Sequence, residues 1–450
     1  MTDLVEKRLT HGSITKSLIR FALPFLGANL LVSLYGAADV FIVSYFADSA
    51  ALAATATGAQ AVWTLMALAI GLAMGGTILI GQYFGARQEK DVLETISTVL
   101  TLFGLTSVVC ALSMFFLADN ITDWLHTPAE AWQGTRNYIL ICGGGIIFTF
   151  AYESVSAVLR GLGDSKNPLK FVAIACVMNV ILDVLFVGGF HWGAAGAAAA
   201  TIISQACSVI LAVLYLRHRH FMFDFKLKSF RFFPQKAKLI LKLSIPSAIQ
   251  QSIVFFSYTV MTIAVNKFGV VESAVLGITN RIDGFLIMPA LAFGAAISVM
   301  AAQNMGAGEV RRARRVFFTG FLLSLIFAIP AFVLMYDYPE LLMRLASDNP
   351  QIIQAGNIFM LAYSPDCILM ALVFCINGFL NGCGRTTFTM GNNILVSTLR
   401  IYLILTAIDL FGVGLTMPLS TLPQAFIAFV YFLTGRWKRS LIAESKPAIS

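Results

Sequence analysis

Apolar residues in this chain gather into long blocks separated by short polar connectors. A membrane-spanning helix needs about 20 predominantly apolar residues, and more if it tilts. Twelve blocks, bounded by charges, glycines and prolines, meet that length: residues 18–46, 51–82, 93–118, 134–159, 168–189, 194–216, 239–267, 273–304, 315–337, 352–380, 386–410 and 412–435. The pattern predicts an all-α polytopic membrane protein with twelve transmembrane helices. Met1 to Lys16 is polar, and the first block, interrupted by Pro24 and Asp39, is too long for the apolar core of a signal peptide, so the first span is expected to be retained.

The connectors test this count, because Lys and Arg collect on the cytoplasmic side. With the N-terminus inside, 26 of the 31 basic residues fall on that side, among them Lys7, Arg8, Lys16, Arg20, Arg311, Arg312, Arg436, Lys438 and Lys446. The opposite loops carry acids: Asp48, Asp119, Asp123, Glu130, Asp337, Glu340 and Asp348. An odd number of spans would destroy the asymmetry. Both termini are therefore expected in the cytoplasm: a tail at 1–17, a first lobe at 18–216, a basic linker at 217–238, a second lobe at 239–435 and a tail at 436–450. The linker interleaves its cations with aromatics. Anionic lipid attracts each nearby Lys or Arg by about 1 kcal/mol, so this face is read as lying against the leaflet and not against nucleic acid.

Composition agrees. The 450 residues are 58% hydrophobic and 12% charged, against about 45–50% and about 25% in soluble domains, and the mean hydropathy is +0.81. The net charge of +8 needs no nucleic-acid partner, since no soluble basic domain exists to carry it. The seven cysteines lie mostly within apolar blocks without metal-type spacing and read as packing residues.

The halves repeat. Gln82-Tyr-Phe-Gly85-Ala86 returns as Gln303-Asn-Met-Gly306-Ala307, and Leu159-Arg-Gly161-Leu-Gly163 returns as Leu380-Asn-Gly382-Cys-Gly384, both 221 positions later; Pro24 is echoed by Pro246. Two six-helix lobes in the same orientation, related by a pseudo-two-fold axis along the membrane normal, are a transporter architecture.

Charge inside the spans marks the candidate chemistry. An ionised group at the bilayer centre costs at least about 2.5–3.5 kcal/mol on insertion scales and asks for a partner, a proton or water. The first lobe places Asp39, Glu153 and Asp183 there. Asn179 and Asp183, four apart, share one helical face. Carboxylate and amide oxygens suit an alkali cation such as Na+ at Asp39, Asn179 and Asp183, while neighbouring carboxylates can share a proton; the residues leave both open. The second lobe carries Arg281, Asp283, Asp366 and Arg400, whose charges cancel, so ion pairs fixing the lobe compete with an ion site. The repeat offset sets Ile404 opposite Asp183 and Arg400 opposite Asn179, so the first-lobe cage has no copy.

These residues resemble the multidrug and toxic compound extrusion (MATE) family over essentially the whole chain. The carriers are Pro24 with Asp39, Gly85-Ala86, Leu159-Arg-Gly161-Leu-Gly163-Asp164, Asn179-Val-Ile-Leu-Asp183 and Gly196-Ala-Ala. Asp39 with Asn179 and Asp183 resembles the prokaryotic branch related to the DNA-damage-inducible transporters. The resemblance implies that Thr201 joins this acidic network, together with the position held by Glu153, where the family often has asparagine. It further implies an efflux antiporter of bacterial or archaeal plasma membrane, exchanging amphipathic, cationic compounds for H+ and/or Na+ by alternating access, with Pro24 as a flexible point. Tyr138 is a candidate lining residue of the substrate cavity. No organic cofactor is expected, and a monomer is.

Competing classes fit less well. The five histidines form no metal-ligand or acyltransferase constellation, which argues against an enzyme, and no Gly-x-x-x-x-Gly-Lys-Ser/Thr loop is present for ATP. A lipid-linked oligosaccharide flippase of the same superfamily is the nearest alternative; such proteins resemble fourteen-span chains with a basic cavity, whereas the first lobe here is acidic.

Overall fold

A computed structural model describes residues 9–219 and 221–444; Lys7, Arg8, His220 and Lys446, weighed above, lie outside the described residues. The described chain is helical, without strands. Its first half contains α1 (Ile14–Phe46), α2 (Ser49–Gly85), α3 (Glu89–Phe116), the short α4 (Ala118–Trp124), α5 (Ala129–Gly161), α6 (Lys166–Asp183) and α7 (Gly193–His218). Its second half contains α8 (Pro234–Asn266), α9 (Val270–Leu286), α10 (Met288–Gly306), α11 (Val310–Asp337), the short α12 (Pro339–Arg344), α13 (Pro350–Tyr363), α14 (Asp366–Gly382), α15 (Thr386–Thr406), α16 (Leu410–Leu433) and the short α17 (Leu441–Glu444).

Among the described residues eleven helices are long and apolar enough to cross a membrane, and twelve spans result if α13 and α14, bent by 46° at their break, form one. Pro365 stands at that break and has no N–H to donate to the Leu361 carbonyl, which accepts from the Ser364 hydroxyl at 3.1 Å instead. The eighth predicted block is also two helices: α10 restarts after Ile287 with Pro289 in its first turn, where a missing N–H costs nothing. Many large apolar side chains are exposed, such as Phe41 at 68% and Phe116 at 73%. Lipid is the solvent that accommodates them.

Two compact units divide the chain. Among the described residues the first holds 27–80 and 88–244, and the second holds 9–26, 81–87 and 245–444. Two of the boundaries fall inside single helices beside a proline: Leu26–Gly27 just after Pro24 in α1, and Ser244–Ile245 just before Pro246 in α8. In the second unit, Leu18 and Phe21 of α1 enter a core with Phe317, Phe379, Phe432 and Trp437, whose indole N–H donates to the Phe432 carbonyl at 2.7 Å.

The sequence repeat is also a repeat of backbone geometry. In the first unit a Cβ on Gly161 would stand 2.9 Å from the Thr77 carbonyl oxygen; in the second, a Cβ on Gly382 would stand 2.3 Å from that of Ser298, the residue 221 positions after Thr77. Gly163 and Gly384 then adopt left-handed φ of 87° and 82°, closing α5 and α14 with matching bonds from Asp164 N to Leu159 O and Arg385 N to Leu380 O. Within the second unit, the two Gln-x-x-Gly segments cross reciprocally. A Cβ on Gly85 would lie 1.9 Å from the Gln303 carbonyl oxygen, and one on Gly306 would lie 1.9 Å from that of Gln82. The buried Gln303 side chain accepts from Leu9 N at 2.9 Å, and Gln82 accepts from the Ser440 hydroxyl at 3.3 Å, so each holds a segment near one chain end.

Candidate cation-coupling site

The first unit gathers its intramembrane polar groups from α1, α5, α6 and α7. Asp183 is fully buried and Asn179 is 1% exposed, one turn apart on α6 as their spacing requires. Asn179 donates through Nδ2 to Thr201 Oγ1 on α7 at 3.5 Å, a long contact at the limit of hydrogen bonding. Asp39, on α1, lies within electrostatic reach of Asp183.

Four oxygens here are buried without a hydrogen-bond donor: Asp39 Oδ1, Asn179 Oδ1 and both carboxylate oxygens of Asp183. Orphaned acceptors of this kind are costly, and a proton or a cation with oxygen ligands relieves that cost. Among the described residues no three His, Cys, Asp or Glu side chains gather as a metal site. A bound Na+ would therefore draw on amide and hydroxyl oxygens besides the two carboxylates.

Sequence reasoning missed two members of the cluster and the form of its helix. Tyr35, one turn before Asp39 on α1, interacts electrostatically with Asp39 and Asp183; the four-residue spacing was the available signal. Cys142 shares a side-chain hydrogen bond with Tyr138, and both lie within reach of Asp39. Beyond Asp183 the chain continues as a π-helical turn, Val184–Gly189. Such turns widen the backbone ladder and frequently occur at functional sites. Gly188-Gly189 was its only trace in the sequence.

Tyr138 is 4% exposed, and its ring fills the space beside Gly58, where a Cβ would meet Cδ1 at 2.4 Å. It stands with the acidic cluster. Glu153 does not: its Oε2 accepts from Arg160 Nη2 at 3.3 Å, two turns on toward the end of α5. Pro24 lies within a continuous α1.

The second-lobe residues converge in part. Arg400 is 4% exposed, donates through Nε to Ser420 Oγ at 3.1 Å and lies 5.5 Å from the Tyr258 ring centre. Asp366 lies near Thr421 and Asp283 near Tyr363, and Asp366 Oδ1 and Thr421 Oγ1 are buried without a hydrogen-bond partner. Asp283 and Asp366 line a small cavity with Cys367, Met370 and Phe327. No salt bridge closes among these groups in the described residues, and Arg281 is exposed. At the repeat position equivalent to Asp183, Ile404 is 1% exposed and packs with Met261 in a hydrophobic cluster.

Repeated helical halves of this kind, with buried polar clusters inside them, are a membrane-transporter architecture. The MatE family model matches residues 24–185 and again 246–406, so both halves of the repeat carry it and the chain belongs to the MATE family of membrane transporters. The chain is 28% identical over 433 residues to the probable multidrug resistance protein YpnP of Bacillus subtilis (strain 168), covering 95% of this chain and 97% of that one. It is 30% identical over 349 residues to the probable multidrug resistance protein YoeA of the same organism, covering 76% and 75%. A MOP superfamily transporter from Pyrococcus furiosus Vc1 (DSM3638) has the same fold, with a TM-score of 0.89 at 19% identity, covering 96% of this chain and 99% of that chain.

Proposed function

We propose that the protein is a secondary active efflux antiporter that exports amphipathic, cationic compounds in exchange for H+ and/or Na+. The observation that carries this reading is the set of unpartnered buried oxygens on Asp39, Asn179 and Asp183 within one unit. When these groups are empty and ionised, the buried acceptors destabilise the closed cluster; when an ion or proton occupies them, that penalty is removed. Occupancy thereby changes the relative stability of two conformations, which is the requirement for coupling. Pro24 lets α1 bend where it passes from one packed unit to the other, because proline removes the hydrogen bond to the Arg20 carbonyl. The multidrug resistance names of the Bacillus relatives support an amphipathic drug-like substrate. An acidic first lobe favours cations over the pyrophosphate of a lipid-linked oligosaccharide.

Efflux of a fluorescent organic cation from proteoliposomes tests the reading. Imposing an inward proton or sodium gradient should accelerate efflux. Equal rates with and without either gradient would overturn it.

A further inference from the structure

The linker between the two halves is a built surface. Arg217, in the last turn of α7, donates to the carbonyls of Asp224 and Phe225 at 3.3 and 2.8 Å. That clamp holds Phe225 at a left-handed φ of 53°, a strained setting for a bulky residue. Ser97 of α3 binds the other end, donating toward the carbonyls of Ser229 and Arg231, both at 2.8 Å, and accepting from Arg231 N. Lys236 is drawn onto Asp91 and Glu94 of α3. Phe223 is buried at the centre of an edge-to-face cluster with Phe225 and Phe230.

What this scaffold presents is a mixture that water does not favour. Phe230 and Phe232 are 39% and 49% exposed. Around them stand the exposed Lys226, Lys228, Arg231 and Lys238. The loop's one acid, Asp224, is held below the usual carboxylate range by Ser229 and by the Lys226 N–H, and it faces only Lys226, at 3.6 Å. Among the described residues no carboxylate lies within ion-pair distance of Lys228, Arg231 or Lys238. Both ends of the loop join spans, at His218 and Pro234, which ties the surface to the membrane–water boundary.

We propose that residues 221–238 form a docking surface for anionic phospholipid, with Phe230 and Phe232 entering the headgroup layer and Lys226, Lys228, Arg231 and Lys238 meeting lipid phosphates. Aromatic side chains suit that layer, and a cation near an anionic leaflet gains about 1 kcal/mol, roughly a factor of five in affinity. The backbone, fixed beforehand by Arg217 and Ser97, need not be ordered on binding.

Amide hydrogen exchange of the full chain in nanodiscs tests this. In discs of phosphatidylcholine mixed with phosphatidylglycerol, residues 221–233 should exchange more slowly than in phosphatidylcholine alone. Changing Lys226, Lys228, Arg231 and Lys238 together to glutamine should abolish most of that difference, with exchange in the spans unchanged. Phe230→Ser with Phe232→Ser should raise exchange in both lipids. Equal exchange of the unmodified chain in both lipids would overturn the proposal even if the variants fail to fold. So would full protection of the glutamine variant, or protection in phosphatidylcholine discs by added inorganic phosphate.

Discussion

Asp183 stands where an α-helix gives way to a π-turn, fully buried and with neither oxygen bonded to a donor. It was legible because a carboxylate in an apolar block costs too much to be incidental, and Asn179 followed from helical spacing. Glu153 met the same criterion, yet its partner is Arg160, seven residues on, and an acid paired at a helix end satisfies the cost locally. Glu153→Gln should therefore leave gradient-driven efflux within about twofold while lowering stability by up to about 1 kcal/mol, visible as a small drop in the melting midpoint of the purified protein. A collapse of coupling would return Glu153 to the ion network. Tyr138 makes the opposite case. Its contact with Gly58 joins α5 to α2, and no local pattern announces a pair 80 residues apart. Gly58→Leu should press on the Tyr138 ring and cost about 1–3 kcal/mol as overpacking; an unchanged melting midpoint would show that the ring moves freely.

At the scale of elements, the repeat was visible as glycine-centred segments, and the structure gives the reason for their spacing. Gly85 and Gly306 each meet the other segment's backbone oxygen, and backbone cannot retreat as a side chain does. Gly85→Ala or Gly306→Ala should each destabilise the protein by more than about 2 kcal/mol, measured by thermal unfolding; a tolerated alanine at both would show that the crossing is loose. The copies differ at one instructive position. Arg87 adopts φ of 59° where Gly308, its counterpart 221 positions on, adopts 79°. Arg87→Gly should relieve strain of order 1 kcal/mol, raising the melting midpoint. The span ends were readable to within a few residues because charge and glycine mark them. The breaks at Ile287 and Pro365 were not read: Pro289 and Ser364-Pro365-Asp366 mark them, but each lies inside a longer apolar block.

For the whole molecule, the asymmetry between repeats matters most. The second half keeps the helices, the caps and Pro246, but sets Ile404 in an apolar cluster at the position equivalent to Asp183. Duplication preserved the frame, and the coupling chemistry proposed here stands in one copy. In the second half Arg400 is bonded to Ser420, while Asp283 and Asp366 line a small cavity and Asp366 Oδ1 has no hydrogen-bond partner. The central claim is that Asp39 and Asp183 carry the coupling ion. Its most direct test is gradient-driven efflux of an organic cation from proteoliposomes containing the parent, Asp39→Asn or Asp183→Asn. The account predicts that each variant still binds the cation but loses its response to an imposed proton or sodium gradient. Undiminished gradient-driven efflux in both variants would contradict it.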